Sequence, residues 1–470
     1  MLKVPGEKAV LLAAGVGNFA VMTAFGISAI VPTISADLGV DVNRAGLIVN
    51  AYFLVLTAVV LVVGRLGDLL GQSRVYLVGA FLLAVSFLLA ALARDFWQLV
   101  LARAVQGAAA AMVYTAALAA VGHAFEVGRR GRAIGILTMA GALGSLATAA
   151  LASALAPTLG WRAVFLLLTP LGLVGLAGLP ALRRFDPGPL PHRLDLWGAF
   201  WLLLTFTFFA LSLNHFHDGP ETFVDGWTYH VPMHLATLAS LGMFIWWERR
   251  VKAPLIDLGQ FRNRRFSAAV VANGIVHSTM MGSSFLLPFL VERGFGLFTA
   301  QTGILLMTLS ACNTVGGLLG GFILDRTRSP LLGPAGITAL GLGLCTLGLV
   351  APFAPFVGLF PVVAFLGLAM GGYITVNNTT IIGAVAPDQR GFASGMEQVS
   401  RHLGHSVGVA LAGAVMSLFV PGGTAGGPGY ISGFQAAVVA LGAVALVGAV
   451  FARAHAPRRR PGTLKAPAAD

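Results

Sequence analysis

Stretches of about 18 or more mostly apolar residues recur along this whole 470-residue chain, and each is long enough to cross a ~30 Å hydrocarbon layer. Lipid offers no partner to backbone N–H and C=O groups, so such a stretch must satisfy them internally as a helix. Fourteen spans are read at about 9–32, 44–64, 74–93, 95–122, 132–156, 162–182, 195–214, 229–248, 266–292, 300–323, 332–351, 355–384, 392–420 and 430–452. Only 10% of residues are charged, where soluble domains carry about a quarter. The expected class is an all-α integral membrane protein with 14 transmembrane helices.

The net charge of +12 raises nucleic acid as a partner, but the positions of the charges argue against it. With the N-terminus inside, 24 of the 30 Lys and Arg fall in inside loops or tails, leaving Arg44, Arg94, Arg162 and Arg293 outside and Arg103 and Arg401 within spans. This is the positive-inside pattern, and it places both termini in the cytoplasm. The basic end ARAHAPRRRPG is suited to anionic lipid headgroups. Cys312 and Cys345 fall inside spans and imply no disulfide framework. Only Lys3 and Lys8 precede the first span and no small-residue cleavage site follows it, so it reads as a retained helix.

The chain repeats itself. RRGRAIGILTMAGALG (129–144) aligns with DQRGFASGMEQVSRHLG (388–404), pairing Gly131 with Gly391, Gly135 with Gly395 and Gly144 with Gly404 at an offset of 260. The same offset sets Gly107 on Gly367, and GRLGD (64–68) matches GFILD (321–325) at 257. Two six-helix bundles, residues 1–185 and 256–453, separated by two inserted helices in 186–255 and followed by a basic cytoplasmic tail at 454–470, account for the spacing. Parallel repeats with a path at their interface are a transporter architecture.

At GRLGDLLGQSR (64–74) and LARAVQGAAAA (101–111) the chain resembles the major facilitator superfamily. With APLIDLGQFRNRRF before the ninth span and RGFASG before the thirteenth, it resembles that superfamily's fourteen-helix drug:proton antiporter branch. The resemblance implies a major facilitator fold and multidrug-type efflux by alternating access, with Arg103 and Gln106 contributing to conformational and proton coupling. Physically, Gly64 and Gly71 permit close helix approach. Asp68 can cap the next helix or pair with Arg74, forming a conformational latch that Asp325 and Arg326 partly copy. A plain charged turn is the other reading. For Arg103 the alternatives are a buried role and a side chain snorkelling to headgroups.

The chain also departs from the family's pattern. Counting back from Pro32, the first-helix acid position holds Thr23, and the fifth-helix Gly-Pro and Gly-Gly positions hold Thr148-Ala149 and Ala152-Ser153. Of the eighteen acids, Glu397 is the one read as clearly within a span. Residues 397, 401 and 405 follow i, i+4 spacing, so Glu397, Arg401 and His405 share a helix face, with His402 turned about 100° from Arg401. That face either lines the inside half of a central cavity and supplies proton coupling, or holds a structural ion pair. Asn273, His277, Asn313, Asn377 and Asn378 either line a substrate path or bond helix to helix.

The loop NHFHDGPETFVDGWTYHVPMH (214–234) has His-X-His beside Asp218, which a metal could use, but a capping polar loop explains it without one. No phosphate-cradling loop ending in Lys-Ser/Thr occurs, which argues against an ATP-driven pump, and no enzymatic activity, cofactor or metal is expected. The reading is a secondary transporter in the cytoplasmic membrane that exports small lipophilic compounds by proton-coupled antiport, with protons and membrane lipids as its partners. Alternatives are a lipid or amphiphile flippase, an exporter of one metabolite, and a non-transporting sensor or scaffold.

Overall fold

The computed structural model describes residues 5–125, 127–186, 188, 195–213, 226–252, 254–327, 329–386, 389–420 and 427–454. Most of the outside loop at 214–234 and the basic tail lie outside these residues. In the N-terminal part the helices are α1 (Pro5–Gly26), α2 (Val31–Leu38), α3 (Val42–Leu70), α4 (Gln72–Leu92), α5 (Phe96–Ala124), α6 (Val127–Leu159), α7 (Trp161–Ala177) and α8 (Leu179–Arg184). Then follow α9 (Leu196–Leu213) and α10 (Trp227–Glu248). The C-terminal part holds α11 (Arg264–Phe289), α12 (Thr299–Thr327), α13 (Leu332–Val350), α14 (Leu359–Gly383), α15 (Arg390–Ser417) and α16 (Pro428–Ala454).

A 3-10 turn, Ile27–Ile30, joins α1 to α2, so Gly6–Leu38 runs as one path; Trp161–Arg184 does the same. The described residues thus form fourteen helical paths, matching the expected spans to within a few residues at most ends. Twelve are long and apolar enough to cross a membrane by length and composition; α10 and α15 are the other two. Local sequence sets the ends: the Asp41 and Asp95 carboxylates accept from the amides of Arg44 (2.7 Å) and Gln98 (2.9 Å), capping α3 and α5. Gly39, at φ 63°, closes α2 in the left-handed conformation that suits glycine.

The repeat read in the sequence is a repeat of helix crossings. Gly107 lets α5 rest on the Tyr52 carbonyl of α3, and Gly367 lets α14 rest on the Leu309 carbonyl of α12. Gly144 sits likewise on Phe19 of α1, and Gly404 on Gly274 of α11; a Cβ at any of these four would overlap backbone. Gly135 and Gly395 mark no such crossing: a Cβ would meet nothing at the first and only the Leu61 side chain, at 3.4 Å, at the second. Helix α10 is tied in by Glu248, which accepts from the amides of Leu255 (3.3 Å) and Ile256 (3.2 Å). Its neighbour Trp247 donates to Asp195 at the start of α9 (2.7 Å).

N-terminal and C-terminal helices meet along α3 with α15 and α6 with α12. On the side opposite the N-terminus, the turn after α1 and α2 also touch α11. Acids also sit at the ends of helical paths, Glu7 near the start of Gly6–Leu38 and Glu292 near the end of Arg264–Gly294. Pro288 and the turn beyond it extend the ninth path past the end read from hydropathy.

Candidate functional site

Between the N-terminal and C-terminal helices lies a cleft of about 580 Å³, part of it open to solvent. Phe25, Ser28 and Ser145 line it from α1, the turn after it and α6. Met280, Met281, Ser284, Ser310, Asn313 and Met370 line it from α11, α12 and α14. No charged side chain is among its lining residues. The Ser28 hydroxyl and the Asn313 Oδ1 are buried without a hydrogen-bond partner. A buried polar atom left unpaired costs about 1–3 kcal/mol, so a ligand that brings a donor and acceptor gains by occupying the cleft.

Of the candidate lining residues, the structure puts Asn313 in the cleft and Asn273 and Asn377 in helix contacts. Asn273, fully buried on α11, donates to the Glu397 carbonyl (3.0 Å) and the Ser400 hydroxyl (2.8 Å) of α15. Asn377 donates to the Ala269 carbonyl (3.1 Å), binding α14 to α11. Asn378 is half-buried with Oδ1 unpartnered, outside the cleft lining. The alternative of inter-helix bonding is thus what Asn273 and Asn377 display.

On the polar face of α15, Glu397, His402 and His405 are buried and Arg401 is partly so. Glu397 is 7% exposed, and its Oε2 accepts from Arg401 Nη2 at 3.2 Å, one turn on, while Oε1 has no partner. Tyr114 of α5 acts on Arg401 through its phenol, so an N-terminal helix also engages this face. One further turn along, the His405 ring lies against Phe53 (4.9 Å between centroids), His277 (5.1 Å), Phe25 (5.3 Å) and His402 (5.7 Å). Neither His405 ring nitrogen has a hydrogen-bond partner. His277 Nδ1 approaches the Asn273 carbonyl at 3.0 Å. Glu397, Arg401 and the histidines do not line the cleft. Phe25 does, and its ring is what joins the cleft to the buried cluster. Spacing on α15 had grouped Glu397, Arg401 and His405; it had no means of adding His277 from α11, or of turning His402 inward.

Arg103 does not snorkel. It is 1% exposed, donating from Nε to the Ile48 carbonyl of α3 (2.9 Å) and from Nη1 to Gln106 Oε1. Its Nη2 reaches the Ala24 carbonyl (3.5 Å), and its guanidinium lies 4.9 Å from the Tyr52 ring centroid. Among the described residues no carboxylate pairs with it. Thr23, at the first-helix acid position, is fully buried and donates to the Ala20 carbonyl of its own helix (2.7 Å).

The latch residues are arranged differently from the expectation. Asp68 accepts from Gln72 Nε2 (3.2 Å), while Arg74 is exposed and unpaired with it. Asp325 and Arg326 are both exposed, with the Arg326 guanidinium over the Phe322 ring at 4.2 Å. The cap of α4 is Asp186, more than a hundred residues away, whose Oδ2 accepts from the Ser73 amide (2.8 Å). Gly71, at φ 93°, is needed there, because a side chain would press on the same carboxylate. A Cβ at Gly64 would meet Thr115 at ordinary contact distance.

Burial pushes the Asp186 carboxyl up, but hydrogen bonds from the Ser73 hydroxyl and from the amides of Ser73, Gly188 and Gln72 outweigh it and hold it below its ordinary value. A depressed carboxylate adds stability above its unfolded pKa and loses it as pH falls through the folded one. Asp186→Ala should therefore lower thermal stability in detergent by about 1 kcal/mol at neutral pH. The gap from wild type should close below about pH 4. A gap that persists in acid would show that the cap does not act through the carboxylate.

A helical membrane protein built from two sets of similarly crossing helices, with a cleft at their interface, defines a solute transporter rather than an enzyme. The chain belongs to the Major Facilitator Superfamily: that family's model matches residues 13–409 and again 279–470. Over 421 residues it is 28% identical to the uncharacterized transporter YebQ of Escherichia coli (strain K12), covering 89% of each chain. It is 28% identical over 419 residues to the multidrug resistance protein Stp of Mycobacterium tuberculosis, covering 87% of this chain and 76% of the relative. Its fold is similar to that of a bacterial homologue of the human lysosomal transporter Spinster, a structure solved in an inward-facing, unoccupied conformation. There the TM-score is 0.69 at 17% identity, over 97% of this chain and 98% of that one.

Proposed function

We propose that this protein is a proton-coupled exporter of small lipophilic compounds, of the fourteen-helix drug:proton antiporter type. It would sit in the cytoplasmic membrane with both termini inside and work by rocking its N-terminal helices against its C-terminal ones. The observation that carries the reading is the uncharged cleft at the interface of the two sets of helices, with three methionines, Phe25, and unpartnered oxygens on Ser28 and Asn313. Methionine thioethers adapt to differently shaped apolar ligands, which suits a broad exporter. A relative named for multidrug resistance supports the same reading. The absence of a carboxylate in the lining favours neutral or weakly polar substrates over strong cations.

Coupling is assigned to Glu397, which lies buried one cluster away from the cleft and paired to Arg401. A conformational change that alters the contact of Arg401 with Glu397 or with Tyr114 alters the proton affinity of the acid.

The test is flux of a neutral and of a cationic fluorescent compound in proteoliposomes under an imposed pH gradient. The neutral compound should move faster with the gradient than without it. Asn313→Leu, which keeps the helix and removes the amide, should cut that flux about tenfold, the equivalent of one lost hydrogen bond of about 1.4 kcal/mol. Flux indifferent to the gradient would remove antiport; flux indifferent to Asn313→Leu would remove the cleft from the path.

A further inference from the structure

Glu292 lies at the far end of α11, on the membrane side opposite the N-terminus, and the proposed transport does not yet use it. Pro288 lacks an amide donor, and immediately after α11 the backbone widens into a π turn, Leu290–Gly294, closed by the Phe295 amide on the Leu290 carbonyl (2.9 Å). Single π turns in long helices interrupt regular packing and aim a side chain that a uniform helix would direct elsewhere. Here the turn carries Glu292 into the contact between N-terminal and C-terminal helices. Its Oε2 accepts from the Thr33 hydroxyl of α2 (3.4 Å) and its Oε1 from Thr302 of α12 (3.4 Å). Thr33 also lies 3.5 Å from the Thr299 hydroxyl. The groups closing this side of the molecule around Glu292 are therefore hydroxyls.

Charged and titratable neighbours are few. Arg293 follows in the chain and acts on Glu292, but it also acts on Tyr430 of α16, and its carbonyl accepts from Gly427 (2.9 Å). Asp37, one turn beyond Thr33, is held by Trp161 (2.9 Å) and Arg162 (2.8 Å) of α7. Among the described residues no cation forms an ion pair with Glu292.

We propose that Glu292 is an outer proton-binding site whose occupation lets this side of the transporter close. Closing draws the carboxylate between α2, α11 and α12, and burying an ionised group without a paired cation costs several kcal/mol. A proton taken from the outer solution converts the carboxylate to the neutral acid, and the acid's oxygens still accept from Thr33 and Thr302. The proton returns to the same side when the contact reopens, so the site sets the pH dependence of closure and adds nothing to transport stoichiometry. The inference rests on alternating access with the N-terminus inside, and it is independent of Glu397 and of the direction of flux.

The test is labelling of Ser284→Cys, in the cleft, by a membrane-impermeant maleimide applied from outside. It uses the full chain with Cys312 and Cys345 replaced by serine, and rates are normalised to the same cysteine in unfolded protein at each pH. With Glu292 intact, labelling should slow roughly tenfold between about pH 8 and about pH 5. Glu292→Gln, neutral at every pH, should label slowly throughout, whereas Glu292→Asp should keep the pH dependence. Thr33→Val, which deletes the donor from the opposite set of helices, should speed labelling at about pH 5. A pH profile in Glu292→Gln equal to wild type, or Thr33→Val labelling unchanged in acid, would overturn the assignment. The readout requires no flux, so a protein that keeps this profile yet moves no compound defeats only the transport reading.

Discussion

Glu397→Gln should abolish pH-gradient-driven efflux, by tenfold or more, while the protein remains folded and still exchanges substrate across the membrane without a gradient. The argument is geometric. Glutamine matches the shape of glutamate and can keep one contact to Arg401, whose Nη2 stands 3.2 Å from Oε2. It cannot take up or release a proton. Loss of the ion pair leaves Arg401 partly buried, with Tyr114 as its other partner, and removing one member of a buried pair is costly. A structural role for the pair would therefore appear as lost folded protein, and a coupling role as lost gradient response with exchange retained. Comparing gradient-driven flux with counterflow in proteoliposomes of equal protein content separates the two. Full gradient-driven flux in the variant would move the coupling assignment to His405, His277 or Arg103.

The second large effect concerns Arg103. Its guanidinium serves α1, α3 and α5 at once, through the carbonyls of Ala24 and Ile48, the Gln106 amide oxygen and the Tyr52 ring. Arg103→Met removes the charge but leaves Gln106 Oε1 without its donor, and Gln106 Nε2 already has no acceptor. The loss is about 1–3 kcal/mol for the orphaned oxygen plus about 2 kcal/mol for the desolvated cation–π contact. Arg103→Lys should be no milder. An ammonium keeps the buried charge and loses the planar fork that reaches several acceptors together. Heating detergent-purified protein and measuring the folded fraction by size exclusion should rank wild type well above both variants. A lysine variant as stable as wild type would mean that the charge, and not the fork, is what the three helices require.

Much of this molecule was legible from neighbouring residues. Twelve of the fourteen helical paths followed from apolar run length, because a backbone in hydrocarbon has to bond to itself over a distance fixed by the bilayer. The glycines at 107, 144, 367 and 404 aligned as a repeat, and each proved to be a place where helices touch backbone to backbone. The Glu397–Arg401 pair was legible too, since i, i+4 on one helix is a local relation.

What was not legible joins residues far apart in the chain. Asp186 rather than Asp68 caps α4, although Asp68 is nearer in sequence, because the chain returning after α8 sets its carboxylate at the Ser73 amide. His277 and His405 meet 128 residues apart, with His405 wedged against Phe25 and Phe53. Glu292 was read as a span end, and it became an interface residue once Pro288 and the π turn carried the helix onward to Thr33. Sequence by itself determined that the chain is a bundle of membrane helices with an internal repeat, because length, apolarity and small-residue spacing act within a helix. The tertiary structure alone decided which polar groups share a site. A side chain's partners depend on helix rotation and crossing, and those are set by the packing of all the helices together.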